Sequence, residues 1–87
     1  MSTVSAENTT AWLLDQEDCD CDDQRFYCSY LISHSSLCLD EAVDDKSYFN
    51  SMEQSLTKGL AADQLSEQDR SGIQSLWAQA IKKFLTP

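Results

Sequence analysis

The strongest constraint on this chain is the spacing of its apolar side chains. Near the C-terminus they fall at Ile73, Leu76, Trp77, Ala80, Ile81 and Phe84 or Leu85. Steps of three and four lay such residues along one face of an α-helix. The same steps recur at Phe49, Met52, Leu56 and Leu60. They recur again at Phe26 or Tyr27, Tyr30, Leu31, His34, Leu37, Cys38 and Ala42. No segment alternates apolar and polar residues as a half-buried strand would. Two glycines and one proline punctuate the chain, too few for a turn-rich β fold. The pattern predicts an all-α protein.

Local signals set the expected boundaries. Ser66 is a good N-cap for the last helix, and Asp69 three residues later makes a variant of the capping box. Glu67 and Asp69 face the positive end of that helix dipole, Lys82 and Lys83 the negative end. Thr86 and Pro87 stop it. A third helix is predicted over 46–61, weakened near its end by Gly59. A second is predicted over 24–43, capped by Asp22 or Asp23 and ended by Asp44 and Asp45. The first, over 7–18, is the poorest: Ala11, Trp12, Leu13 and Leu14 supply an apolar patch, but Asn8, Thr9 and Thr10 are weak helix formers. Residues 1–6 are expected to fray. Short connections favour antiparallel neighbours. The expectation is therefore a compact antiparallel bundle of three to four short helices, one domain over 1–87.

Charge narrows the function classes. The chain carries fifteen acids and six bases, a formal charge of −9. Residues 1–45 hold eleven of the acids and only Arg25 among the bases, about −10; residues 46–87 are about +1. Phosphate binding needs clustered Lys and Arg, so a nucleic-acid or anionic-membrane surface is not expected. The acidic half suits a basic partner or a well-hydrated face. The N-terminus shows no basic region followed by a long apolar run, and no stretch reaches a membrane span. A cytoplasmic location is expected, with Cys19, Cys21, Cys28 and Cys38 reduced.

The densest cluster of chemistry-bearing residues runs from Asp15 to Asp23 and includes Asp18, Cys19, Asp20, Cys21 and Asp22. Asp18, Asp20 and Asp22 imitate the first ligands of a calcium loop. That loop needs Gly at its sixth position and Glu at its twelfth, where this chain has Asp23 and Ser29. A zinc set of Cys19, Cys21, Cys28 and either His34 or Cys38 lacks the paired spacing of zinc knuckles. On one helix Cys28 and Cys38 stand about 15 Å apart. They read as small core residues. The acids around Cys19 and Cys21 work against a reactive thiolate. His34 and Cys38 share a helical face, which the pattern expects to be buried. Trp12, Tyr30, Phe49 and Trp77 read as core, or as an interface if exposed. No phosphate loop, nucleophile elbow or basic aromatic groove is present, so no cofactor and no small-molecule ligand is implied.

Phe26, Tyr30-Leu31 and His34, preceded by Asp22-Asp23, resemble a stretch of the YfcL family of small bacterial proteins. Gln54-Ser55-Leu56, Lys58, Ala61, Leu65-Ser66, Asp69, Ile73, Leu76 and Trp77 follow that family's order and spacing. The resemblance spans 22–81. It implies a short, all-helical, cytoplasmic protein of proteobacterial type without an assigned activity, and it carries over no catalytic residues. Tyr30 and His34 are its matched positions with polar chemistry. The four cysteines depart from the family pattern.

The leading expectation is a non-catalytic acidic interaction module that binds a protein partner or a second copy of itself. Its candidate site residues are Asp18, Asp20, Asp22, Asp23, Tyr30 and His34. The alternative is a metal- or redox-responsive protein using Cys19 and Cys21 with adjacent carboxylates. An enzyme using Tyr30, His34 and Cys38 would require an open pocket beside His34, and the chain is read as not an enzyme.

Overall fold

The computed structural model describes residues 3–85. Four helices follow one another: α1 (Val4–Glu17), α2 (Asp22–Glu41), α3 (Asp45–Ala62) and α4 (Glu67–Phe84). No strand occurs among the described residues. Linkers of three or four residues join them. Such short links force sequential helices to fold back. Interhelical bonds record the result. Glu17 meets Ser29 and Thr10 meets Ser35, so α1 and α2 run antiparallel. Tyr30 meets Asp63, His34 meets Ser55 and Ser35 meets Tyr48, so α2 and α3 do too. Arg70 meets Leu60 and Trp77 meets Glu53, which sets α4 antiparallel to α3. The all-α bundle expected from periodicity is what forms. No described helix is long and apolar enough to cross a membrane.

α2 is the hub: it packs against each of the other three helices, whereas the backbones of α3 and α4 barely approach one another. The core is one cluster around Leu13, Leu31, Tyr48, Phe49, Met52, Leu56, Ile73, Leu76 and Trp77. Leu13, Leu31, Tyr48, Met52 and Ile73 are wholly buried. Each such side chain contributes about 1.5–3 kcal/mol of burial. Buried side-chain nitrogens and oxygens are all paired among the described residues. A relay of three hydroxyls ties three helices: Tyr48 Oη to Ser35 Oγ at 2.6 Å, Ser35 Oγ to Thr10 Oγ1 at 2.7 Å, and Thr10 Oγ1 to the Ala6 carbonyl at 3.1 Å. Because Thr10 donates to the carbonyl, each hydroxyl finds an acceptor only if Tyr48 donates to Ser35 and Ser35 to Thr10.

Several boundaries differ from expectation. α1 begins at Val4, and Ala6 is wholly buried, so residues 4–6 are not a frayed end. The reason is a cap supplied from elsewhere: the Ala6 N–H donates to Asp45 Oδ1 at 2.9 Å. Thr9 and Thr10, weak formers, donate their hydroxyls to carbonyls four residues back and stay in the helix. α2 is capped at Cys21 without a side-chain bond, so neither Asp22 nor Asp23 is its N-cap. The reciprocal capping box belongs to α3, between Asp44 and Ser47. Ser66 does cap α4, accepting from the Asp69 N–H at 3.0 Å. The fraying expected at residues 1 and 2 and the stop expected at Thr86 and Pro87 lie outside the described residues.

α2 keeps part of its expected stripe inside, with Leu31 and Cys38 buried and Tyr27, Tyr30 and Ala42 packed against the core, and departs from it elsewhere. Phe26 and Leu37 are exposed, and Cys28, Leu31, Ser35 and Cys38 line the interior. Cys28 and Cys38 are core residues, as their spacing suggested. Close approach explains both glycines. A Cβ on Gly59 would stand 2.7 Å from Tyr30 Oη and 3.0 Å from His34 Cε1. One on Gly72 would run into Cε2 and Cζ of the Tyr27 ring. The two glycines are the places where tyrosines of α2 press against α3 and α4.

Candidate functional site: an acidic groove between α1 and α2

Where α1 ends and α2 begins, the chain leaves an open groove of about 840 Å³. Its apolar walls are Leu14 and Phe26, which are 52% and 42% exposed. Its polar walls are Glu17, Asp18, Asp22, Arg25 and Ser29, with Cys19 beside them. Antiparallel packing across a four-residue link brings Leu14 of the last turn of α1 to Phe26 of the first turns of α2. Ser29 donates to Glu17 Oε2 at 2.6 Å and holds one carboxylate in place. Arg25 reaches Asp22 only at 3.7 Å, with both side chains largely in water, so this pair neutralises little.

The two helix ends that meet here carry opposite partial charges, negative at the α1 C-terminus and positive at the α2 N-terminus, so the negative field of the groove comes from its carboxylates. The last turn of α1 holds no basic residue. Glu17, Asp18 and Asp20 stand at that same end. A groove with two exposed apolar side chains and an acidic rim suits a ligand with apolar and basic groups together.

The expected site residues separate into three places. Asp18 and Asp22 line the groove. Asp20 is exposed in the link beside it. Asp23 points away and accepts from Gln68 Nε2 of α4 at 3.3 Å. Tyr30 and His34 form a separate cluster on the α3 side of α2, with ring centroids 4.7 Å apart. Tyr30 donates to Asp63 Oδ2 at 2.8 Å, and burial with this carboxylate partner pushes its phenol up to about 12. His34 Nδ1 lies 2.6 Å from Ser55 Oγ. Burial holds its imidazole below the usual range, against an opposing pull from Asp63. The described grooves lie away from His34, whose ring is packed between Tyr30, Ser55 and Gly59.

The cysteines also separate. Burial, with Cys19 and Glu17 nearby, pushes the Cys28 thiol up to about 11. Burial and Glu41 raise Cys38, against a lowering contact from Ser55. Cys19 is half-buried with its S–H toward the Cys21 carbonyl at 3.6 Å, and Cys21 is exposed. Among the described residues no three His, Cys, Asp or Glu side chains converge on one point. The spacing of the sequence did not disclose Leu14 and Phe26 as groove walls. Both looked like core positions, and the acidic run alone gave no apolar partner.

No protein-family model, curated protein or solved structure matches the chain.

Proposed function

We propose that the protein is a non-catalytic, cytoplasmic interaction module whose α1–α2 groove receives a basic amphipathic segment of another protein. The observation that carries this reading is the pairing of exposed Leu14 and Phe26 with the rim of Glu17, Asp18 and Asp22. Apolar contact supplies affinity, and the acidic rim steers basic partners and repels acidic ones. An amphipathic helix lying in such a groove is a common mode of peptide recognition. Membership of the YfcL family belongs to the same proposal. What supports it is the order of Phe26, Tyr30, Leu31 and His34 and of Leu65, Ser66, Asp69, Ile73 and Trp77.

The test is calorimetric titration with a short helical peptide of Lys and Leu, beside a Glu/Leu peptide of the same pattern. The Lys/Leu peptide should bind and weaken as salt rises. Asp18→Lys with Asp22→Lys should abolish binding without changing helical content. Equal binding of both peptides, or unchanged binding by the charge-reversed protein, would remove the proposal.

A further inference from the structure

A second groove lies on the opposite side of the charge divide. α3 and α4 are consecutive and antiparallel, yet they splay apart and leave an opening of about 640 Å³. Its floor is Leu56, Leu60, Ile73, Trp77 and Ile81. Its rims carry Thr57 and Ala61 on α3 and Gln74 and Ala78 on α4, all exposed and mostly short. Short rims let another backbone come near an apolar floor. We propose that a second copy of this chain covers the groove, forming a two-fold symmetric dimer across α3 and α4.

Two observations select a second copy over a foreign chain. The first is the charge layout. α1 and α2 carry nearly all the surplus acid, while residues 46–87 sum to about +1. Two copies that meet through α3 and α4 keep their acidic halves apart, whereas a meeting through α1 and α2 brings them together. The second is the polarity of the groove itself. Glu53 stands at one end, level with Trp77, whose indole N–H points at Glu53 Oε1 at 3.4 Å. Arg70 stands at the other end, level with Leu60, whose carbonyl accepts from Arg70 Nε at 3.1 Å. Seven residues of helix separate the two levels, about 10 Å. A two-fold axis through the middle of the groove sets Arg70 of one copy against Glu53 of the partner subunit, and the reverse. The groove is its own electrostatic complement, with Glu53 of the partner subunit competing for Arg70 against the exposed Glu67 that Arg70 Nη1 meets at 3.4 Å. The dimer lies apart from the α1–α2 groove and leaves both acidic grooves open.

The experiment is light scattering and sedimentation at several concentrations, with no peptide present. The protein should run at about twice 9.8 kDa. Glu53→Arg alone and Arg70→Glu alone should each weaken self-association by at least about tenfold. Mixing these two variants should restore a dimer, because the like-charged pairs of each homodimer become opposite-charged pairs in the mixed one. Because Arg70 also holds the Leu60 carbonyl, Ala78→Arg on the exposed rim provides a variant that leaves the core alone. It should be a folded monomer that still binds the Lys/Leu peptide at the other groove. A monomeric parent protein would overturn the dimer, as would dimers retained by Ala78→Arg or a mixture that fails to reassociate. Failure of peptide binding with dimerisation intact would strike only the acidic groove.

Discussion

Ser35→Ala should destabilise the protein far more than the size of a hydroxyl suggests. Ser35 is wholly buried and sits in the middle of the relay from Tyr48 to Thr10. Without its oxygen, the Tyr48 hydroxyl loses its acceptor inside a residue that is itself wholly buried. Thr10 loses a donor but keeps its bond to the Ala6 carbonyl. Leaving one buried donor unpaired costs about 1–3 kcal/mol. A value near 2 kcal/mol corresponds to a fall in Tm of about 8–16 °C for a domain of this size. Tyr48→Phe should cost less, about 1 kcal/mol, because Ser35 still donates to Thr10 and only a lone pair is left empty. The double variant is the sharper test. With the phenol hydroxyl gone no orphan donor remains, so Ser35→Ala plus Tyr48→Phe should be more stable than Ser35→Ala alone. Urea unfolding followed by helical circular dichroism measures all three. If Ser35→Ala lies within about 0.5 kcal/mol of the parent, or if the two single costs simply add, the relay does not work as described.

Other expectations follow from the same packing. Asp45→Ala should cost about 1 kcal/mol by uncapping α1, and hydrogen exchange should speed up first at the Ala6 amide. Gly72→Ala would gain up to about 1 kcal/mol in an open helix, but here it should destabilise, because the Tyr27 ring occupies the space. In a Tyr27→Ala background the same change should become stabilising, which thermal melts would show. The folded His34 has a lowered pKa, so its contribution is complete above about pH 6.5 and is lost as pH falls through the folded value. His34→Gln should flatten that acidic part of the stability curve. Tyr48 has a raised pKa through burial, so its contribution is complete below about pH 10 and is lost as pH rises toward the folded value. Tyr48→Phe should reduce the alkaline loss.

The helices are legible where large apolar residues form one stripe facing the core. α3 and α4 each bury a single face, and Phe49, Met52, Leu56, Leu60, Ile73, Leu76 and Trp77 are buried where their spacing placed them. α2 was less legible because it touches three helices and must let them come close. It does this with small side chains, Cys28, Ser35 and Cys38, which carry weak apolar signals. Phe26 and Leu37 looked stronger and lie outside. α1 fails for a similar reason. Its interior face is Ala6, Thr9 and Leu13, and its first turn depends on Asp45, thirty-nine residues away in sequence. The acidic part of the groove could be read from the run between Asp15 and Asp23. Its apolar part could not, because only the fold brings Leu14 and Phe26 to the same opening. Tyr30 and His34 carry polar chemistry in the sequence, and the fold uses them to pack α2 against Gly59, Ser55 and Asp63.

The most direct test of the acidic groove is a proton–nitrogen correlation titration of the labelled protein with the Lys/Leu peptide at low salt. Shifts should appear at Leu14, Glu17, Asp18, Cys19, Phe26 and Ser29, and recede as salt is added. No shifts at low salt, or shifts confined to α3 and α4, would contradict the account.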